Sequence, residues 1–394
     1  MSPVPGSTFR RMLFWTHLGC GVTAGVLIVL MSVTGVLLTY ERQIVDGVGK
    51  RNRVDPMPGT GHLDADTLAV RARAAVPADA RASLVFDADP SRLVVVQAGR
   101  DASILLNPFT GAVTPDLTRP WRDFFRAVED WHRWMGGDPR STRANLMDVA
   151  NLLFLFIIAS GIYLWLPAVW RWRTLRGLML FRTRYVNSKV RDFNWHHVFS
   201  FWMLAPLFLI ALSGVVMSYG WANNLVYAAF GESTPQRGGP PGPGGGGGPA
   251  RAPRPLAPDA DASRASLQTI LTVASGQVPN WRRITIPLTG ASGTVDIAIE
   301  LQSKELRPPR QTLTLAARDA SVVRLTPPPA PGANAQTRGQ RARTWFRFIH
   351  TGEQYGLIGQ TLAGIASLAA CFLAYTGLAL AWRRLIHPLL RRAV

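Results

Sequence analysis

Only two cysteines occur in 394 residues. Both fall inside long apolar runs, so there is no disulfide framework and no cysteine cluster for zinc or iron–sulfur. Cys20 and Cys371 read as buried small apolar residues. No Gly-x-Gly-x-x-Gly opens a helix after a strand, and no cytoplasmic domain is expected. Both absences exclude a nicotinamide or flavin site in the chain itself. No small-residue cleavage site follows the first apolar run, which is also too long for a signal peptide. Acidic residues are few beside basic ones, 24 against 43, for a formal net charge of +19. In a soluble protein that charge would suggest nucleic acid. Here membrane topology accounts for much of it, and no nucleic-acid partner is expected.

The chain does have long hydrophobic runs. Four stretches, at 13–40, 147–167, 198–220 and 357–382, reach the roughly 20 residues needed to cross a bilayer. Arg10 and Arg11 precede the first. Arg171, Arg173, Arg176, Arg182, Arg184, Lys189 and Arg191 crowd the link between the second and third. Arg383, Arg384, Arg391 and Arg392 follow the last. The positive-inside rule then places both termini and the 168–195 loop in the cytoplasm. Arg42, Lys50, Arg51 and Arg53 count against this and are outnumbered. The expected order is a transmembrane helix in 1–40, an outer segment 41–145, a helix in 146–168, a basic cytoplasmic loop 169–195, a helix in 196–220, a second outer segment 221–352, a helix in 353–384 and a tail 385–394.

The two outer segments share an order. In the first, DADTLAVRARAAV predicts a short helix, and SLVFDAD, RLVVVQAG and ASILLNPFTGAV predict strands, with a turn from Pro108 to Gly111. In the second, SLQTILTVASG is helical. WRRITIPL, TVDIAIELQ and QTLTLAA alternate as strands, and SVVRLTP follows. Residues 236–258 and 327–340 are rich in Gly and Pro, lack large apolar groups and cannot form a core.

The spans repeat as well. His17 begins HLGCGVTAGVLIVLMSVTGVLLTY and His196 begins HHVFSFWMLAPLFLIALSGVVMSY. Aligned without a gap, Thr34 and Gly35 fall on Ser213 and Gly214, and Tyr40 falls on Tyr219. His132 precedes a span ending in Ser160, Gly161 and Trp165. His350 precedes one ending in Thr376, Gly377 and Trp382. The reading is an internal duplication that covers membrane and outer parts alike.

Histidines at matched depth on facing membrane helices are a way to hold a haem iron between two imidazoles. His17 and His196 lie at the cytoplasmic end, and His132 and His350 at the outer end. A bare imidazole in lipid is costly, so such histidines default to a function. Packing histidines and a non-haem metal are the competing readings, though carboxylates at matching depth are lacking for the latter. His197 is an alternate ligand to His196, and register favours His196. His62 reads as a surface or capping residue, and His387 as a headgroup-level one. Gly35 and Gly214 lie 18 residues past His17 and His196, roughly 27 Å at 1.5 Å per residue. Gly35, Gly161, Gly214 and Gly377 therefore sit at the depths of the histidine pairs, where they either admit a macrocycle or let helices approach. Trp131, Trp134 and Trp345 are candidate walls of an outer haem, against membership of the interfacial aromatic belt. Arg11 and Arg191 inside, and Arg133, Arg143 and Arg347 outside, are candidate propionate partners or ordinary anchors.

These residues resemble a known family. Four spans with histidine opening the first and third, Arg347 three residues before His350, HTGEQYGLIGQ before the last span, and helix-plus-meander outer parts are similar to the PepSY-associated transmembrane family. The likeness covers nearly the whole chain apart from the Gly/Pro insertion. Ser200 departs from it, standing where the family usually has glycine. The resemblance implies a four-helix membrane bundle with two small α+β, PepSY-like periplasmic domains in a bacterial inner membrane. Characterised members include ferrisiderophore reductases with two b-type haems, which here would be held by His17, His196, His132 and His350. The implied activity is electron transfer through the membrane to a ferric siderophore or other Fe(III) chelate. The electrons would come from a separate cytoplasmic reductase or from quinol. Fe(II) would be released, because hard oxygen ligands hold it less tightly. Two rival readings stand beside this one. The first is a PepSY sensor or partner-binding membrane protein without haem. The second is a di-haem quinol or ascorbate oxidoreductase with another periplasmic acceptor.

Overall fold

The computed structural model describes residues 8–55, 61–77, 80–98, 102–167, 170–234, 264–288, 293–303, 308–327 and 337–390. The insertion at 236–258, most of 327–340, and Arg391 and Arg392 lie outside these. The chain divides into two compact units. One is Met1–Gln43, Arg122–Gln236 and Gln336–Val394; the other is Ile44–Trp121 and Arg237–Ala335.

The elements run α1 (Thr8–Leu38), α2 (Glu41–Gly49), α3 (Ala65–Ala75), β1 (Ala82–Asp87), β2 (Val94–Ala98), β3 (Ala102–Leu106) and β4 (Val113–Thr114). Then come α4 (Arg119–Trp134), α5 (Thr142–Trp165), α6 (Trp172–Met179), α7 (Ser188–Trp202), α8 (Leu204–Ser218), α9 (Gly220–Ala228) and α10 (Leu267–Gln277). The chain continues with β5 (Trp281–Pro287), β6 (Thr294–Leu301), β7 (Arg310–Ala316), β8 (Val322–Thr326), α11 (Arg338–Thr351), α12 (Gly356–Leu385) and α13 (His387–Leu390).

The first unit is a membrane bundle. The segments Thr8–Gly49, Thr142–Trp165 and Glu353–Leu389 are long and apolar enough to cross a bilayer. Their outward faces carry apolar side chains such as Val26, Leu146 and Ile365, as lipid contact requires. The third expected span is not one straight helix. α7 and α8 meet at a 70° bend and together make at most a fourth crossing. Pro206 gives the reason. It lacks the N–H that would reach the carbonyl of Trp202, and its ring clashes there, so α7 stops at Trp202. The Leu207 N–H then bonds the Met203 carbonyl at 2.9 Å and starts α8. The first repeat has Leu27 at this position, and α1 runs through unbroken. In the bundle α1 packs on α5 and α12, α5 on α8, α7 on α12, and α8 on α11.

The turn between α11 and α12 explains part of the HTGEQYGLIGQ motif. Gly352 takes a left-handed conformation, φ 75°, and lies against the backbone of Gly359. A Cβ on either glycine would meet the other's main chain.

The second unit departs from two separate domains. Its strands form one eight-stranded antiparallel sheet, in the order β4-β3-β2-β1-β5-β6-β7-β8. The two repeats join through β1 and β5, with Val85 opposite Thr285. One face is packed against α3 and α10: Leu68, Ile270 and Ala274 meet Leu84, Ile284, Ile286, Ile297, Ile299 and Leu313 in a single core. β6 shows the period-2 rule: Val295, Ile297 and Ile299 are buried, and Thr294, Asp296 and Ala298 are exposed.

The two helices cap each other across the pseudo-symmetry. Asp66 accepts the N–H groups of Leu267 (2.8 Å) and Gln268 (3.1 Å), and Gln268 accepts the N–H of Ala65 (2.9 Å). These are orphan donors of the first helical turn. Asp66→Ala should therefore lower stability by about 1–2 kcal/mol. The midpoint of thermal unfolding of the detergent-solubilised protein would report it, and an unchanged midpoint would remove the capping role. Asp64, the N-cap of α3, accepts the backbone N–H and hydroxyl of Thr67, which hold its carboxyl below the usual carboxylate range. Its contribution is present at neutral pH and fades as pH falls through that depressed value.

Candidate functional site

The four histidines lie at two levels of the bundle. Each is fixed by a hydroxyl from the serine or threonine that precedes glycine on a neighbouring helix. His17 Nδ1 on α1 lies 2.9 Å from Ser160 Oγ on α5. His196 Nδ1 on α7 lies 3.0 Å from Thr376 Oγ1 on α12. His132 Nδ1 on α4 lies 2.9 Å from Thr34 Oγ1 on α1. His350 Nδ1 on α11 lies 3.1 Å from Ser213 Oγ on α8. The second repeat thus copies the first: one hydroxyl serves each histidine.

The direction of these bonds follows from proton counting. A hydroxyl has one proton to give. Ser160 gives its proton to the Phe156 carbonyl at 2.7 Å, and Thr34 to that of Leu30 at 2.7 Å. Thr376 gives its proton to the Phe372 carbonyl at 2.8 Å, and Ser213 to that of Ile210 at 2.8 Å. Each hydroxyl can only accept from the imidazole, so Nδ1 carries the hydrogen. The backbone agrees. His350 Nδ1 also lies 3.0 Å from the Ile210 carbonyl, which can only accept. The carbonyls of Ile157, Met31 and Leu373 lie near His17, His132 and His196 without a direct hydrogen bond. The neutral ring then bears its lone pair on Nε2, and no Nε2 makes a hydrogen bond among the described residues. An imidazole so fixed is a ready metal ligand, with its other nitrogen held by a neighbouring group.

The rings are also paired. His132 and His350 have centroids 6.3 Å apart and planes at 66°. Two imidazoles bound to one ion from opposite sides, at roughly 2.0–2.1 Å per bond, put their centroids about 6 Å apart. His17 and His196 are near enough to interact electrostatically at the other level. All four rings are half-buried. Among the described residues no group of three or more His, Cys, Asp and Glu could hold a metal ion. A pair of imidazoles suits an ion whose other ligands come with it, as in a porphyrin.

Three of the four glycines lie against histidine rings. A Cβ on Gly161 would lie 3.5 Å from His17 Cε1, one on Gly377 3.4 Å from His196 Cε1, and one on Gly35 3.6 Å from His132 Cε1. They let the ring edge approach the helix whose hydroxyl it meets. Gly214 instead lies against the Asn151 side chain.

Other expected residues divide. His197 stays with its own helix: Nδ1 donates to the Phe193 carbonyl at 2.9 Å, and the ring packs on Phe193 at 4.1 Å. His62 is exposed and packs edge-on against Phe109, while Asp64 caps the helix. Cys20 and Cys371 are free and half-buried. Arg191 pairs with Asp192, and Arg133 pairs with Glu129 and lies over the Trp134 ring. Arg11, Arg143 and Arg347 have no ion pair among the described residues. Trp131 is half-exposed and packs against Gly136.

Two features carry no clear signal in the sequence. The Trp165 indole N–H, one turn beyond Gly161, is buried with no partner. A cavity of about 410 Å³ is lined by Phe181, Arg182, Tyr185, Trp195, Phe199 and Phe372. Two aromatic residues in the loop, two on α7 and one on α12 are its only trace there.

The model of the PepSY-associated TM region matches residues 14–384. A comparison with curated proteins found no match.

Proposed function

Since the chain belongs to the PepSY-associated transmembrane family, we propose that it carries electrons across a bacterial inner membrane and reduces an Fe(III) chelate, such as a ferric siderophore, at the periplasmic face. The observation that carries this reading is the fourfold hydroxyl-to-Nδ1 contact, which leaves four Nε2 lone pairs free, with the His132 and His350 rings side by side. His17 and His196 would hold one b-type haem, and His132 and His350 a second. Bound there, the porphyrin iron supplies one-electron redox chemistry at each end of the bundle.

The protein's part is placement. Ser160, Thr376, Thr34 and Ser213 set the tautomer and the ring angle. The apolar helices keep water from the interior. The orphan N–H of Trp165 and the unpaired Arg11 offer donors for propionates at the inner level, and Arg143 and Arg347 do so at the outer level. Arg133 and Arg191 are committed to carboxylates and fit that role less well. The aromatic cavity lined by Trp195, the residue before His196, gives a place for electrons to arrive, from a cytoplasmic reductase or from quinol. No acid or base is required.

The test is an optical spectrum of the purified protein, oxidised and after dithionite, with a haem count. Two equivalents and sharp reduced alpha bands are the expected result. A haem-replete preparation without them ends the proposal. A finer check is Thr34→Val. It removes the acceptor at His132, so the outer site should lose about tenfold in haem affinity, within the 10–100-fold range for outer-shell partners. Titration of apo-protein with haemin measures it, and unchanged affinity would show that the hydroxyl does not hold the ring.

A further inference from the structure

We propose that the link between α5 and α7, built around α6, is a binding surface for anionic phospholipid headgroups. The inference depends neither on haem nor on a substrate.

Charge selects the surface. From 168 to 191 there are seven cations and no acid. Six of them, Arg171, Arg173, Arg176, Arg182, Arg184 and Lys189, are exposed. Their side chains make no ion pair or hydrogen bond among the described residues. Other cations at the ends of α1, α7 and α12 are already engaged. Arg10 donates to carbonyls at the end of α5, and Arg191 and Arg383 share Asp192. Arg384 lies over the Phe14 and Trp15 rings. A topological bias toward positive charge does not distinguish these groups. The packing does: it commits the neighbours and leaves six cations of the link open.

The array is held in place. Asn194 of α7 is 3% exposed and spends its whole amide on the link. Its oxygen accepts the Arg182 N–H at 3.1 Å and the Tyr185 hydroxyl at 2.9 Å. Its nitrogen donates to the carbonyls of Gly177 and Leu180 at 3.0 and 3.1 Å. That fills both lone pairs and both donors of an asparagine side chain. The Trp202 indole N–H adds a bond to the Met179 carbonyl at 2.9 Å. The cations therefore ride on a fixed backbone, which spares a ligand the cost of ordering it. The same clamp ties the link to the helix that carries His196.

The aromatic residues choose lipid over an acidic protein. Trp170, Trp172 and Phe181 stand among the arginines, each with more than half its surface exposed. Indoles seat at headgroup level, and guanidinium forks match phosphate oxygens. The link joins two apolar segments directly, so its place is the bilayer surface. Basic helices with Trp and Leu beside the cations lie in that layer. An acidic protein would pair with the charges and leave the indoles in water.

The experiment uses the full chain in a neutral detergent, titrated with short-chain phosphatidylglycerol or phosphatidylcholine. Native mass spectrometry counts bound lipid, and the unfolding midpoint reports its effect. Phosphatidylglycerol should bind at least tenfold more tightly, raise the midpoint, and bind more weakly as salt rises. Each cation near an anionic surface contributes roughly fivefold in affinity. Arg173→Gln with Arg176→Gln and Arg184→Gln should therefore weaken phosphatidylglycerol binding at least tenfold and leave phosphatidylcholine binding as it was. These side chains bond nothing in the protein, so without lipid the variant should unfold at the parent's midpoint. Arg81→Gln with Arg318→Gln and Arg324→Gln removes the same charge from the sheet unit and should bind as the parent does. Equal binding of the two lipids, parent-like binding by the first triple variant, or equal loss in both triple variants overturns the proposal. So does a midpoint raised as far by inorganic phosphate, which would mark a free-anion site, or by soluble polyglutamate, which would mark a surface for acidic protein.

Discussion

His132→Ala should leave the protein with one of two haems, and His17→Ala should leave it with the other. The pairs are set by geometry, not by order in the chain. His132 faces His350 at 6.3 Å between centroids, and their anchors, Thr34 and Ser213, come from corresponding positions of the two repeats. Taking away one imidazole leaves the ion with a single protein ligand and an open gap where the ring stood. The expected loss is one full equivalent by haem count, and chelate reduction should fall to background in either variant, since the levels act in series. The double variants decide the pairing. His132→Ala with His350→Ala should lose no more haem than either alone, because both act on one site and their effects do not add. His132→Ala with His17→Ala should lose both. If His17→Ala and His350→Ala deplete the same haem, the pairing is wrong.

The register of the repeats makes the four histidines and the four Ser/Thr-Gly steps legible in the sequence alone. What those steps do is not legible there. A glycine beside a histidine's depth is as consistent with room for a macrocycle as with room for a ring edge. The 3.4–3.6 Å approach to Cε1 atoms that a Cβ on Gly377, Gly161 or Gly35 would make is visible only in three dimensions. The role of the hydroxyls is hidden for a similar reason. It depends on a second bond, to a carbonyl one turn back, which spacing does not reveal.

The bend between α7 and α8 has its signal in Pro206, which the hydropathy of the run masks. The joined sheet has no such signal. Each repeat reads locally as a helix and a meander, and the pairing of Ser83 with Pro287 links residues that no short window brings together. Both β1 and β5 are buried centrally, where an edge strand would have left its N–H and C=O groups exposed. The fusion removes one unpaired edge from each repeat. That is a physical reason to expect it once the duplication is known.

Asp192→Ala should be among the most destabilising single changes in the bundle. Asp192 has no exposed side-chain surface. It accepts from Arg191 at 3.0 Å and from Arg383 at 2.6 Å, cations that are 35% and 27% exposed. Removing a buried partner typically costs about 3–5 kcal/mol, because charge is left uncompensated where water cannot reach it. Here the stranded cations are partly exposed, so about 2–3 kcal/mol is expected after screening. The loss should be local as well as global. Asp192 lies one turn before His196 on α7, and Arg383 lies two turns beyond Thr376 on α12. The ion pair therefore clasps the same two helices that the His196 to Thr376 contact joins. The first repeat clasps its helices through carbonyls: Arg10 of α1 donates to the carbonyls of Leu164 and Leu166 at the end of α5, at 3.0 and 3.1 Å, where the helix dipole favours a cation. Asp192→Ala should accordingly lower the unfolding midpoint and loosen haem at the inner level only, leaving the outer haem's spectrum as it was. A fall in outer-haem content equal to that of the inner would mean that Asp192 supports the whole bundle and does not act through the α7–α12 seam.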